Sequence, residues 1–482
     1  MKTIQTTFSL RLLTRRHGWS YRPGLAVLFL LAALLPEAAF AQVTNDTPLT
    51  TFVNPIGGGG PAGIGTALSA LGNDRVIIGA AGASTGATGA GAAVLFNTNG
   101  TQLTIITNPA PATSDAFGYA VAAVGSDRIL VSAYLDDAGA ANAGSAYLFN
   151  TNGTLLTTFT NPTPASGELF GGSVAAVGSS RVLIAAHLDG TGATGAGSVY
   201  LYSTNGTLVT TITNPTPALN EGFGISVAVL GNDRLLIGAY QDGTGAFKGG
   251  AAYLYNTNGT LLTTITKPVP AALDQFGRNV ATLGSDRLLI YAPVDDAGIS
   301  GSGVVYLMST NGALITTITN PSPAVGDLFG SKMAAVGNDR ILIGASGDDT
   351  FGPDFGVVYL FNTNGTLLVT YTAPVQSFGN AVAAIGTNAL IGAPTFDRAY
   401  LFDTAFTLNT NTAPVLNIAR SGSTVSVSWV TSETGLILQQ AEVLDAPDGW
   451  DDAPESASVN GPTNTVLQSL ESTNRFYRLR QP

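Results

Sequence analysis

The chain has 482 residues, 45% of them hydrophobic, which is enough for a large core and a second small domain. It contains no cysteine, and this excludes disulfides, thiolate metal sites and cysteine nucleophiles. The formal net charge of −11 argues against nucleic acid and against anionic membrane surfaces as partners.

The first 41 residues have the pattern of a signal peptide. Lys2 and four arginines form a basic region, residues 24–35 are apolar, and Ala39-Phe40-Ala41 is a small-x-small cleavage pattern. An uncleaved membrane anchor is the alternative, but the apolar run is short for a span and Pro36 interrupts it. We therefore expect an exported protein, extracellular or at the cell surface, with a periplasmic location also open and no membrane insertion after cleavage.

A Phe-Gly pair recurs through the chain at a constant step of 53 residues. The pairs are Phe117-Gly118, Phe170-Gly171, Phe223-Gly224, Phe276-Gly277 and Phe329-Gly330. Ile64-Gly65 stands one step earlier, and Phe378-Gly379 ends the series after a shorter step of 49. Seven such units of strands and turns predict an all-β fold, a seven-bladed β-propeller over residues 47–403.

One unit predicts the four strands of a blade. Residues 117–124 form strand A, residues 128–135 strand B, residues 144–150 strand C and residues 154–160 strand D. Asn152-Gly153 supplies the positive φ angles of a type I′ hairpin between strands C and D. The A to C strands are apolar on both faces, as expected for sheets packed between neighbours.

The two ends of the array predict how the ring closes. Residues 47–55 (TPLTTFVNP) match the strand D sequence TLLTTFTNP at residues 154–162, whereas the seventh unit ends on a strand C. Pairing of this N-terminal strand with the last blade would remove the open edges. The rival is a degraded strand D within residues 403–414. We assign residues 404–414 to a linker and residues 415–482 to a small β-sandwich-like module.

These units resemble the FG-GAP repeat, found in integrin α-subunit propellers and in many bacterial exported proteins. The unit FGGSVAAVGSSRVLIAAHLDGTG and the full motif Gly392-Ala393-Pro394 carry the resemblance, with drifted copies such as Gly79-Ala80-Ala81. The resemblance implies an adhesion or recognition role. One departure is the A–B connection, for example Gly231-Asn232-Asp233, which is too short for a calcium cage. The usual calcium sites of the family are therefore expected to be missing.

Acidic residues recur at two fixed offsets from the Phe. Two residues before it stand Asp115, Glu168, Glu221, Asp274 and Asp327. Nineteen residues after it stand Asp136, Asp189, Asp242, Asp295, Asp348 and Asp397. All belong to the D–A and B–C loops on one side of the disc, so a strongly acidic face is expected there. The alternative is that each Asp closes its own loop by an Asx-turn and that the D–A acids are simply solvated.

Catalytic groups are scarce in this sequence. His187 near Asp189 resembles a base with its orienting acid, but no pattern places a nucleophile beside them. We expect a non-enzymatic propeller that presents the acidic loop face to a protein or a surface glycan. No cofactor is expected, although Ca²⁺ in the B–C loops stays open. The alternatives are a structural cell-surface component without a specific ligand and, less favoured, an acid-only hydrolase or lyase.

Overall fold

The computed structural model describes residues 43–57, 62–295 and 301–404, together with seven strands between residues 417 and 480. The chain divides into two compact units, one of residues 42–405 and the other containing residues 406–482. The predicted signal peptide and residues 405–414 of the predicted linker lie outside the described residues. Among the described residues, no helix has the length and apolarity that a membrane span requires.

The first unit is a ring of seven antiparallel sheets, and the predicted seven-bladed propeller is confirmed. Strand A of blades 1 to 7 is Ile64–Leu71, Phe117–Val124, Ser173–Val177, Phe223–Leu230, Asn279–Leu283, Lys332–Val336 and Ala381–Ile385. Strand B is Arg75–Ala80, Arg128–Ala133, Arg181–Ala186, Arg234–Ala239, Arg287–Ala292, Arg340–Ala345 and Asn388–Ala393. Each strand A contacts the strands A of both neighbouring blades, so these strands line the central channel.

The outer strands complete each blade. Strand C is Ala92–Asn97, Ser145–Asn150, Ser198–Ser203, Ala251–Asn256, Val304–Ser309, Val357–Asn362 and Arg398–Phe402. Strand D is Gln102–Thr107, Leu155–Thr160, Leu208–Thr213, Leu261–Ile265, Leu314–Thr319, Leu367–Tyr371 and, in blade 7, Thr50–Val53. A 3₁₀ turn, Pro394–Phe396, follows strand B of blade 7. Strands B and C are buried on both faces because blades cover them on either side, whereas strand D is largely exposed.

The Phe-Gly pair joins one blade to the next. Phe117 is fully buried and packs on Phe149 of its own blade and on Ile77 of blade 1. The glycine after each Phe, or after Ile64 in blade 1, has a φ between +87° and +99°. A Cβ on Gly118 would lie 2.1 Å from the carbonyl oxygen of Ala92 in the preceding blade. Only glycine fits this conformation and this close approach.

In blades 1 to 5, the arginine that begins strand B ties the blade to the following one. Its Nη2 donates to a backbone carbonyl in the next A–B turn, as from Arg75 to Ser126 at 2.9 Å and from Arg234 to Ser285 at 2.7 Å. The same bond is made by Arg128, Arg181 and Arg287. The Asp before the arginine is about three-quarters exposed, so these surface ion pairs add little stability. We call the side of the disc that holds the A–B and C–D turns the turn face.

The N-terminal segment closes the ring, as predicted. Thr50–Val53 pairs antiparallel with Arg398–Phe402 and becomes strand D of blade 7, with Phe52 fully buried. The rival strand D is not formed by Asp403 and Thr404, which lie in no strand. The sequence did not indicate a second contact, in which Val43–Asn45 pairs in parallel with the outer strand of blade 6.

The second unit contains two antiparallel sheets, in agreement with the predicted β-sandwich-like module. One sheet has the order Asn417–Ser421, Thr424–Val430, Thr463–Ser469 and Ser458–Asn460. The other has the order Asp451–Asp452, Ile437–Ala441 and Phe476–Arg480. The buried side chains Val427, Leu438 and Val466 belong to this unit.

Candidate functional site

The acids of the D–A loops are buried inside those loops. Asp115, which is 2% exposed, accepts hydrogen bonds at Oδ2 from Asn108 Nδ2 and from the backbone N–H of Ala112, both at 2.7 Å. The Asn108 Oδ1 accepts the backbone N–H of Ala110, so one side chain closes the turn and holds the acid. The same bonds are made by Glu168, Glu221 and Asp327. Burial raises the pKa of Asp115, and likewise the pKa of Glu221 and of Asp327.

The acids at the ends of strands B are also committed to their own blades. Asp136 accepts the Ala138 N–H at Oδ1 and the Tyr147 hydroxyl at Oδ2, both at 2.8 Å. Burial, then the bond to Asp136, raises the pKa of Tyr147. Asp189, Asp242 and Asp348 make the same pair of bonds. In blade 1 the positions equivalent to Asp136 and Tyr147 hold the buried apolar residues Ala83 and Val94. The Asp and the Tyr are therefore replaced together.

Two blades hold their acids by other contacts. In blade 5, Lys267 replaces the usual Asn and its Nζ lies 3.0 Å from Asp274 and 2.8 Å from Asp295. In blade 7, Asp397 accepts backbone N–H groups of the loop that enters blade 1, with Gly63 at 2.6 Å and Ala62 at 3.0 Å. Asp397 therefore joins the last blade to the first.

The expected acidic contact face is consequently corrected. Nine of its eleven members are buried, namely Asp115, Asp136, Glu168, Asp189, Glu221, Asp242, Asp274, Asp327 and Asp348, and Asp295 and Asp397 are half-buried. The alternative interpretation describes the acids at the ends of strands B, which close their own loops, but the D–A acids are buried and not solvated as it supposed. The position of a residue relative to the Phe of its repeat predicts the face of the disc on which it lies. It does not predict whether the side chain is buried or exposed there. Within the described residues, no three His, Cys, Asp or Glu side chains are grouped so as to hold a metal.

The exceptions to the repeat gather on that same side, which we call the loop face. Two variable positions lie two and seventeen residues after the Phe, where strand A begins and strand B ends. Small residues and Pro fill most of them, but several blades place aromatic or basic side chains there. Together with Lys332 at the next position of strand A, these residues form what we call the mouth cluster: Tyr119, Tyr134, His187, Tyr240, Arg278 and Lys332.

The mouth cluster is held by ring contacts. Tyr119 stacks on Tyr134 with 3.9 Å between ring centroids, and Tyr119 is 39% exposed. Arg278 of blade 5 reaches back to blade 4, where its Cζ lies 4.9 Å from the centre of the Tyr240 ring. Glycines make room for these rings: a Cβ on Gly222 would lie 2.5 Å from Tyr240 Cε1.

The charge of Arg278 reaches several blades around the mouth. Burial, and then Arg278, lowers the pKa of His187 to about 4, so this imidazole is neutral at pH 7. Lys332 and Tyr119 keep exposed surface, but restricted solvation inside the channel mouth, and then Arg278, lowers the pKa of Lys332, and the same restricted solvation raises the pKa of Tyr119. His187 is not oriented by Asp189, because the Asp189 carboxylate bonds the Thr191 N–H and the Tyr200 hydroxyl. The base-and-acid arrangement considered for this pair is therefore not formed.

The mouth cluster was not found from the sequence, although the signal was present. Aligning the units at the Phe shows Tyr, His or Arg where other blades have Gly, Ala, Ser or Thr. These exceptions are scattered over residues 119–332, and only the closed ring brings them to one end of the channel.

The fold and this site define a seven-bladed β-propeller with a non-repetitive channel mouth. A family model described as "FG-GAP repeat" matches residues 101–149 and 207–255, and these two matches together with the seven-bladed ring support the resemblance to FG-GAP propellers. Each match begins just before strand D of one blade and ends within strand C of the next.

Three solved structures are similar to this chain at low identity. The WD40 β-propeller domain of Doa1 is 13% identical, with 73% of this chain and 97% of that chain covered and a TM-score of 0.48. The C-terminal WD40 domain of Sif2 gives 12% identity, 74% and 98% coverage and a TM-score of 0.43. BBS1N, in a complex with ARL6DN soaked with lead, is 13% identical, with 75% of this chain and 98% of that chain covered and a TM-score of 0.44. Comparison with curated proteins gave no sequence match.

Proposed function

We propose that this protein is an exported, non-catalytic propeller that recognises a saccharide with its loop face, centred on the mouth cluster. The observation that carries the proposal is the convergence of the repeat exceptions at one end of the channel. A stacked Tyr pair, a guanidinium and a neutral imidazole together offer aromatic faces and hydrogen-bond donors around an opening. That combination suits a polyhydroxylated ring. Export is supported by the signal-peptide pattern of residues 1–41.

The distribution of exposed apolar side chains also favours the loop face. Among the described propeller residues, the exposed large apolar side chains lie on the outer strands D or on the loop face, and the turn face has none. Those of the loop face are Tyr119, Leu188, Leu219, Phe247, Val269, Leu273, Val325, Leu328, Phe351 and Phe396. Exposed apolar groups on one side of a disc are typical of a contact surface. The turn face is occupied by the arginine contacts between blades.

The chemistry of the site supports binding over catalysis. The eleven loop-face carboxylates at the two repeat offsets are engaged in hydrogen bonds and ion pairs within the propeller, so among them no pair of carboxyl groups faces one substrate. His187 is neutral at pH 7, and no hydrogen bond links it to Asp189. An acid-only hydrolase or lyase is therefore the weaker candidate.

An immobilised glycan array, probed with the purified protein, tests the proposal. We expect binding to a defined group of saccharides and its loss in a Tyr119→Ala/Phe247→Ser variant of the loop face. The matched control is Leu156→Ser/Leu262→Ser on the outer strands, where both leucines are 48% exposed. The control should bind as the original chain does and melt at the same temperature. Equal loss in both variants, or binding to protein baits with no glycan bound, would contradict a saccharide site on the loop face.

A further inference from the structure

Two buried hydroxyl groups near the channel mouth have no hydrogen-bond partner. The Tyr291 side chain is 2% exposed, and neither its hydroxyl nor Ser331 Oγ contacts a donor or acceptor. Tyr291 stands where the other blades have Gly, Ser or Ala, and its ring lies against Gly330, the residue before Ser331. A buried hydroxyl without a partner costs about 1–3 kcal/mol. An acceptor supplied from outside the chain would remove this cost.

The same sector carries two cations without counter-charges. Arg278 begins the turn into strand A of blade 5, and Lys332 is the first residue of strand A of blade 6. Neither forms an ion pair with a carboxylate among the described residues. Arg278 donates to Gln275 Oε1 at 3.3 Å, a contact that uses one of its five N–H donors. The remaining donors suit an oxyanion.

We propose that Arg278, Lys332, Tyr291 and Ser331 form a seat for the oxyanion of an acidic saccharide, either a uronic carboxylate or a sulfate ester. This inference rests on the proposed function, because it names the chemical class of the saccharide. Tyr119 and Tyr134, at the same end of the channel, offer an aromatic face for a sugar ring. The net charge of −11 repels long polyanions, so the ligand carries an isolated anionic unit, such as a terminal acidic sugar.

Matched monosaccharides test the seat. Methyl glucuronide and methyl glucoside differ only in a carboxylate against a hydroxymethyl group, and 6-sulfated methyl glucoside supplies the sulfate arm. Each is titrated into the full-length protein and followed by saturation-transfer NMR. We expect the original chain to prefer one of the two anionic compounds to the glucoside by at least about tenfold, the factor that about 1.4 kcal/mol provides. The compound that binds more tightly shows whether the seat takes a uronic carboxylate or a sulfate ester.

Three variants, one of them a control, separate the seat from a general effect on folding. Arg278→Gln should remove the anionic preference while neutral saccharides still bind, and Lys248→Gln, a cation on the same face outside the seat, should leave the preference intact. Tyr291→Phe should weaken binding of the anion several-fold and raise the Tm of the ligand-free protein, because it removes an unpaired buried hydroxyl. A merely structural Tyr291 would leave binding of the anion unchanged when its hydroxyl is removed.

The outcomes distinguish this inference from the proposed function. Equal binding of glucuronide, sulfated glucoside and glucoside overturns the seat and leaves the saccharide site standing. An anionic preference that survives Arg278→Gln also overturns the seat. Failure of every saccharide, on the array and in solution, overturns both.

Discussion

The close approach of strand A to the preceding blade predicts a large difference between two glycine substitutions. Gly118 has a φ of +95°, and a Cβ there would meet Ala92 O at 2.1 Å and Ala80 N at 3.1 Å. Gly386 has a φ of +59°, and a Cβ there would meet nothing within 4 Å, so it is the matched control. Alanine at Gly386 destabilises the fold only through the left-handed backbone conformation, which costs about 1–2 kcal/mol. Part of this cost is offset because alanine lowers the conformational entropy of the unfolded chain.

Alanine at Gly118 adds a clash with backbone atoms that no rotamer change relieves. The Ala92 strand would have to withdraw by about 1 Å, and such shifts in a packed interior exceed the usual 1–3 kcal/mol of overpacking. We therefore expect Gly118→Ala to lower the free energy of unfolding by more than about 4 kcal/mol. Gly386→Ala should lower it by about 1 kcal/mol.

Thermal unfolding followed by circular dichroism measures the difference. At about 2.1 cal/mol/K per residue, residues 42–405 unfold with an entropy of roughly 0.8 kcal/mol/K, so 1 kcal/mol shifts Tm by about 1.3 °C. Gly118→Ala should lose at least about 5 °C and Gly386→Ala about 1 °C. Equal shifts would refute the argument that contact between blades, and not backbone conformation alone, requires the glycine of the Phe-Gly pair.

Three further predictions concern titration, a buried bond and metal ions. The pKa of His187 is about 4 in the fold against 6.5 ordinarily, so the unfolded chain binds more protons between these values and stability falls as the pH drops from 6.5 towards 4. His187→Asn should lose less stability over that window in urea titrations, and parallel pH profiles would contradict this. Tyr253→Phe leaves the fully buried Asp242 with fewer donors and should cost about 1.5–3 kcal/mol, against about 1 kcal/mol for Tyr255→Phe, whose hydroxyl bonds a neutral carbonyl. Because the B–C loop carboxylates already bond Tyr hydroxyls and backbone N–H groups, millimolar Ca²⁺ and a chelator should give the same Tm; a rise of several degrees in Ca²⁺ would reveal a site.

The architecture was predictable because it rests on local rules repeated seven times. The Phe-Gly step, the Asn-Gly hairpins and the strand D match at residues 47–55 each predict a backbone feature, and repetition reinforces them. The parallel strand Val43–Asn45 was not predictable, since three residues carry no pattern of their own.

The burial of the acids was not predicted, and the reason is physical. Asp136 and Tyr147 are eleven residues apart, and a sequence does not show that a hydroxyl lies within hydrogen-bond distance of a carboxylate. Blade 1 did hold a clue, because Ala83 and Val94 replace both members at once. Arg278 and Tyr240 were equally hidden, since their contact joins two blades.

Closure of the ring sets the order of events during synthesis. Thr50 pairs with Leu401, which is made 351 residues later, so at about 5–20 residues per second the strand waits roughly 20–70 s for its partner. Until then the N-terminal strand has no hydrogen-bonded partner in blade 7. A chain terminated before residue 398 lacks the partner strand altogether. The propeller thus becomes a ring only after blade 7 has been made.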